Sequence, residues 1–239
     1  MSGHSHAKTV AHKKGIAAAQ RSKIFSKMAN EIAIAAKGGG DPASNSRLRM
    51  AIDRAHSFNM PTLNIERAIK RGAGEEKGAA LEEILFEGYG PNNIAILIEG
   101  ISENKNRTLG EIKQAFEKNK GKLAGEGAVR WMFDRRGTIT ILAYDKPKDE
   151  IELLAIEAGA QDTYWKEDGA LEIYTNPTEL EKVKKALEEQ GITLESTSLD
   201  WIPKERVLLS QADIESAEKL FLALDESDAV QEIYANIKD

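Results

Sequence analysis

Cysteine is absent from this chain of 239 residues. Disulfide bridges, thiolate metal sites and cysteine nucleophiles are therefore excluded together, which fits a reducing compartment. Histidine is scarce: there are four, at positions 4, 6, 12 and 56. No imidazole base or ligand is available after His56. Long apolar runs are missing too, so neither a membrane-spanning helix nor a secretory signal is expected. Met1 to Arg21 is basic and acid-free, as a transit peptide would be. Its three histidines and the weak apolar periodicity before Ile16 favour a functional arm instead. No phosphate-cradling P-loop, no G-x-G-x-x-G after a strand and no H-E-x-x-H is found. The acidic pairs Glu75-Glu76 and Glu82-Glu83 read as solvated charge. The inventory points away from an enzyme, and no cofactor, resident metal or obligatory small molecule is expected.

What is present is a polarity of charge. Residues 1–74 carry thirteen Lys and Arg against four Asp and Glu, a net +9, while the remaining 165 carry 20 against 35, a net −15. Concentrated cationic surface binds phosphate polyanions, and the overall charge of −6 hides it. The pattern predicts an N-terminal nucleic-acid-engaging module on an acidic body. The alternative is a solvated Lys/Arg helix surface. The expected nucleic-acid contacts are Lys8, His12, Lys13, Lys14, Arg21, Lys23, Lys27, Lys37, Arg47, Arg49 and Arg54.

Length suits two or three domains. Residues 1 to about 15 lack a periodic apolar face and read as a mobile basic arm. From Gln20 to Lys37 the stripe Ile24, Phe25, Met28, Ile32, Ala35 and Ala36 recurs at helical spacing, which puts Lys23 and Lys27 on the opposite face. Gly38 to Pro42 breaks that helix. A second helix, Ser44 to Ser57, buries Leu48, Ala51, Ile52 and Ala55 and points Arg47 and Arg54 outward. Pro61 opens a third, which ends near Gly72. Beyond it, strands are expected at Ile94–Ile101, Ala128–Asp134, Thr138–Ala143, Asp162–Lys166, Ala170–Tyr174, Ile192–Trp201, Glu205–Ser210 and Ala229–Ile237. Helices are expected at Arg107–Asn119, Lys148–Ala158, 176–190 and Gln211–Leu224.

Residues 138–202 alone spell β-α-β-β-α-β, and the flanking β-α-β pieces together make a second such unit. The fold class expected is α+β and multidomain. An N-terminal all-helical domain (1–78) precedes two ferredoxin-like α/β sandwich domains, one (135–203) inserted in the other (79–134 with 204–239). One long mixed sheet is the competing reading.

The chain also carries weaker candidates. His4, His6 and His12 offer imidazoles to a transition metal but form no closed ligand set. Glu87 to Asn93 reads as a turn whose Tyr89 packs over a hinge, or else presents its ring to a base. Asn104 to Thr108 opens a helix that either binds phosphate or is simply capped. Trp131, Trp165 and Trp201 are expected in strands, as core or interface.

Gly3-His4-Ser5, Lys23-Ile24-Phe25-Ser26-Lys27, Gly39-Gly40-Asp41-Pro42, Asn45 with Arg47-Leu48-Arg49, Asn59-Met60-Pro61, Asn64 to Ile69, Glu87-Gly88-Tyr89-Gly90-Pro91 and Asn106-Arg107-Thr108 stand in one order along the chain. In these runs, over essentially its whole length, the chain resembles the YebC/PmpR family, which includes the mitochondrial translational activator of cytochrome c oxidase subunit I. The resemblance implies three domains and a gene-expression regulator without known catalytic activity. Bacterial members are commonly classed as probable transcriptional regulators that bind DNA in the cytoplasm; others look like ribosome-associated translation factors that relieve stalling. It implies DNA or ribosomal RNA as partners, with the ribosome as a further one, met by the segment Lys8 to Arg54. One departure is that His6-Ala7 stands where the family usually has Lys-Trp, so the arm tip lacks an aromatic ring and a permanent cation.

Overall fold

The structure is a computed structural model that describes residues 18–76, 80–142, 146–166 and 168–238, with the side chains of 18–20 left aside. Three helices come first: α1 (Ala18–Ala36), α2 (Ser46–Ser57) and α3 (Thr62–Gly72). Each buries one stripe. Met28, Ile32, Ala35 and Ala36 of α1 meet Leu48, Ala51 and Ala55 of α2 and Ile65 and Ala68 of α3 around Met60. In proteins, helices are held by such packing of an apolar face more than by propensity. Asn45 ties α1 to α2. Its Oδ1 accepts the Leu48 N–H at 3.0 Å, and its Nδ2 donates to the carbonyls of Ala35 and Gly39, both at 2.8 Å. At the far end, a Cβ on Gly72 would lie 2.2 Å from the Ala33 carbonyl oxygen, so α3 closes on α1 through a glycine.

Next come β1 (Glu82–Tyr89), β2 (Ala95–Ser102), α4 (Lys105–Lys118) and β3 (Lys122–Ala124). They are followed by β4 (Phe133–Ile141), α5 (Lys148–Ala158), β5 (Asp162–Trp165), β6 (Leu171–Thr175), α6 (Leu180–Glu189) and β7 (Ser196–Pro203). The chain returns with α7 (Gln211–Asp225) and β8 (Val230–Ala235). The strands form two four-stranded sheets, β3-β1-β2-β8 and β5-β6-β4-β7, antiparallel throughout. The architecture is α+β: a helical start, then two α/β sandwiches, one interrupting the other along the chain. Numbered within itself, the second sheet runs 2-3-1-4, the ferredoxin-like order. Two compact units result. Among the described residues, one holds Trp131–Leu208 and 236–238; the other holds 18–130 with Leu209–Ala235. The helical segment therefore shares a unit with the first sheet.

Several elements differ from expectation. β1 is a full strand where a turn from Glu87 was expected; the turn begins at Gly90. Gly88 can sit inside that strand because the Phe116 ring lies on it, so close that a Cβ would be 2.5 Å from Cζ. Ala128 to Asp134 is not one strand. The first sheet takes its third strand from Lys122–Ala124, Arg130–Met132 is a 3-10 turn, and β4 begins at Phe133. The expected strand Glu205–Ser210 reduces to a single bridge, Val207 to Ile237. The strand expected from Ile192 starts at Ser196.

Candidate nucleic-acid interface

The register of the first sheet sets the electrostatics beneath the helical segment. Glu83, Leu85 and Glu87 of β1 stand opposite Ile101, Glu99 and Leu97 of β2, and Glu99 and Leu97 stand opposite Glu232 and Tyr234 of β8. Directly opposed residues share a face, so four carboxylates share this one. It is also where α1 packs, with Ala33 and Ile34 against Leu81 and Ile101.

Like charges so close on one face need partners, and each has one. Arg54 Nη2 pairs with Glu232, which is 6% exposed, and Arg54 Nη1 lies 3.2 Å from Glu31. Burial opposes the charge on Arg54, but Glu31 and Glu232 outweigh it and push its pKa up. Arg47 pairs with Glu83. The Tyr234 hydroxyl donates to Glu99 at 3.2 Å. Glu87 accepts the backbone N–H groups of Gly127, Val129 and Arg130. Elsewhere, Lys27 Nζ lies 2.7 Å from Asp225 at the end of α7, and Arg71 Nη2 lies 2.7 Å from Glu103.

The cationic helices are thus docked on the sandwich partly by their own charges. Lys27 and Arg54 do not face outward as their helices alone imply. Lys27 is 9% exposed, and Asp225 and Glu232, which hold Lys27 and Arg54, lie 198 and 178 residues further along the chain. Lys23 is half-buried; burial first, and then the charge on Lys27, pull its pKa below the ordinary lysine value, and Asp225, Asp228 and Glu226 only partly offset them.

Of the other expected contacts, Lys37 donates to the Leu81 carbonyl and Arg49 to the Pro42 carbonyl at 2.8 Å. Arg21 is exposed, with no ion pair among the described residues. Lys8, His12, Lys13 and Lys14 lie outside the described residues, as do His4 and His6. Sequence reasoning passed over Arg67 and Lys70. Both are exposed on α3, three residues apart, and neither has an ion pair among the described residues. The signal was available: Ile65 and Ala68 define the buried stripe of α3, and Arg67 and Lys70 fall off it. The cations most open to a polyanion here are Arg21, Arg67 and Lys70.

The weaker candidates resolve individually. Asn104 caps α4, its Oδ1 accepting the Arg107 N–H at 3.1 Å. Tyr89 is half-buried and its hydroxyl donates to the Ala128 carbonyl at 3.1 Å. Trp201 is buried beside Arg135, and Trp165 packs under Lys148, but Trp131 is 67% exposed in the 3-10 turn rather than in a strand core. Among the described residues no group of three or more His, Asp or Glu side chains is arranged to hold a metal ion, and no helix is long and apolar enough to cross a membrane.

Comparison with known proteins shows what the chain as a whole is similar to. The family model described as the TACO1/YebC N-terminal domain matches residues 5–75, and the model of the TACO1/YebC second and third domains matches residues 81–237. A probable transcriptional regulatory protein of Caldanaerobacter subterraneus is 44% identical, the match covering 100% of this chain and 98% of the relative. One from Geobacter sulfurreducens is 45% identical over 99% of this chain and 95% of its own length. The crystal structure of a conserved hypothetical protein from Aquifex aeolicus superposes with a TM-score of 0.86 at 41% identity, covering 96% of this chain and 95% of that one.

Proposed function

Because the chain belongs to the TACO1/YebC family, we propose that it is a non-enzymatic regulator of gene expression that binds DNA in the cytoplasm. Relatives named as probable transcriptional regulatory proteins support the regulatory reading. The observation that carries nucleic-acid binding is the +9 charge of residues 1–74. Ion pairs with the sandwich hold Lys27, Arg47, Arg54 and Arg71. Arg21, Arg67 and Lys70, together with Lys8, His12, Lys13 and Lys14 of the arm, remain for phosphate. With Lys23, Lys37 and Arg49 they form the contact set; Lys27, Arg47 and Arg54 serve it by fixing the helices. The three-domain division expected above belongs to this proposal, with the first domain as the binding module.

A ribosome-associated role is the second reading. Phosphate contacts carry no base sequence, and recognition by phosphate and shape suits folded ribosomal RNA. Titrating the full chain against a DNA duplex and an RNA hairpin, at several salt concentrations, tests both. Binding should weaken by about 0.9 log unit per log salt for each duplex phosphate contacted, or about 0.7 on single strands. No binding to either, or binding indifferent to salt, removes the proposal. Co-sedimentation with ribosomes, against protection of a DNA duplex, separates the two targets.

A further inference from the structure

From the last residue of α4 to the first of β3 the chain reads Lys118-Asn119-Lys120-Gly121-Lys122. This turn lies in the acidic part of the chain, yet no acid stands between Glu117 and Glu126. All three lysines are exposed, and none has an ion-pair partner among the described residues. That sets them apart from Lys27, Arg47, Arg54 and Arg71 of the same compact unit, each matched to a carboxylate.

The turn is also held firmly. The N–H groups of Asn119 and Gly121 both donate to the Phe116 carbonyl, at 3.1 and 2.9 Å, and Asn119 Nδ2 donates to the Ala115 carbonyl at 2.8 Å. Gly121 is pressed on the core; a Cβ there would lie 2.7 Å from the Phe116 ring and 3.0 Å from the Tyr89 carbonyl oxygen. Lys120 has a φ of 58°. Helices usually give this left-handed position to glycine, because a Cβ is strained there. A glycine would close the turn without strain; the lysine keeps the strain and presents a cation at a fixed place.

We infer that Lys118, Lys120 and Lys122 form a second phosphate-contacting surface for the sugar–phosphate backbone of a nucleic acid. The inference rests on the nucleic-acid reading above and extends it to the sandwich. A simpler role, guarding an open sheet edge, fits Lys122 because β3 is an edge strand. It does not account for Lys118 and Lys120, which precede the strand.

The test uses the full chain as wild type, as K120G and as K118A/K120A/K122A, titrated against a DNA duplex and an RNA hairpin over a range of salt, with melting temperatures in parallel. K120G should melt at or above the wild-type temperature and still bind several-fold more weakly. The triple variant should lose affinity further, and its salt slope should fall by about one for each lysine that touches phosphate. If the wild type binds but the triple variant matches it in affinity and slope, the surface is wrong and the first-domain reading stands. If the triple variant self-associates with unchanged affinity, the lysines are edge guards and the inference is overturned. If the wild type binds neither probe, the functional reading itself fails and takes this inference with it.

Discussion

Glu87 Oε2 accepts the Val129 N–H at 2.7 Å. The same oxygen takes the Arg130 N–H at 2.8 Å, and Oε1 takes that of Gly127 at 2.6 Å. One carboxylate in β1 thereby organises the loop that leaves the first sheet. Burial on its own raises the pKa of Glu87, but the N–H groups of Val129, Gly127 and Arg130 outweigh burial and hold it below the ordinary value of 4.5. A carboxyl depressed in the folded state stabilises the protein fully above its unfolded pKa. That contribution is lost as pH falls through the lower folded value. Glu87→Gln keeps the shape and removes the charge-assisted bonds, and should cost about 2 kcal/mol in urea unfolding at neutral pH. Urea titrations stepped from pH 7 to pH 3 should show a shallower acid loss in the variant. Identical pH profiles would take Glu87 out of the acid response.

Arg54 and Glu232 join the helical segment to the first sheet. Glu232 lies directly across from Glu99 in the sheet, so removing the arginine leaves opposed carboxylates with one cation fewer. Arg54→Met should destabilise the protein by about 3–5 kcal/mol, the usual cost of breaking a buried pair from one side. Arg54→Met with Glu232→Leu should recover much of that loss. A double-mutant cycle in urea should give a coupling of about 1–3 kcal/mol. Simple additivity would mean that the pair does not dock the helices.

How far the sequence reveals this arrangement differs from element to element. α1, α2 and α3 are legible because Ile24, Met28, Ile32, Leu48, Ala51, Ile65 and Ile69 keep a 3.6-residue period between clear breakers. β1 is not legible, because Glu87 and Gly88 look like turn residues. Only the donors near Val129 and the ring of Phe116 explain them, and those lie far along the chain. Val129, Trp131 and Phe133 alternate as a strand would, but Val129 and Phe133 are buried while Trp131 is 67% exposed in a 3-10 turn. The charge polarity reads directly from composition. Which cations stay open does not, because Glu232 and Asp225 reach Arg54 and Lys27 only through the sheet and α7.

That division between docking and open cations makes a separable pair of expectations. Arg67→Ala and Lys70→Ala should leave the urea midpoint nearly unchanged, since exposed positions away from packing shift stability by about 0.5 kcal/mol or less. Each should lower the salt slope of nucleic-acid binding by about one if it touches phosphate. Lys27→Ala should act the other way round. It strands Asp225 and loosens α1, so the urea midpoint falls while the salt slope of the remaining folded protein holds. A Lys27→Ala variant of full stability with a reduced slope would make Lys27 a phosphate contact rather than a dock.

Gly72 sets two effects of opposite sign against each other. It ends a helix in ordinary backbone, where alanine is favoured over glycine by about 1 kcal/mol. Against that, the new Cβ would meet the Ala33 carbonyl oxygen at 2.2 Å and the Ala36 Cβ at 2.7 Å. The nearer atom is backbone in the last turn of a packed helix, so it cannot turn aside as a side-chain end would. Overpacking typically costs about 1–3 kcal/mol, and more where the neighbour is immovable. The steric term therefore wins, and Gly72→Ala should lower both the urea midpoint and the helical signal in circular dichroism. Adding Ala36→Gly removes the second contact and leaves the first, so it should restore little. A Gly72→Ala protein as stable as wild type would show that α1 and α3 meet less closely than the distances at Ala33 require.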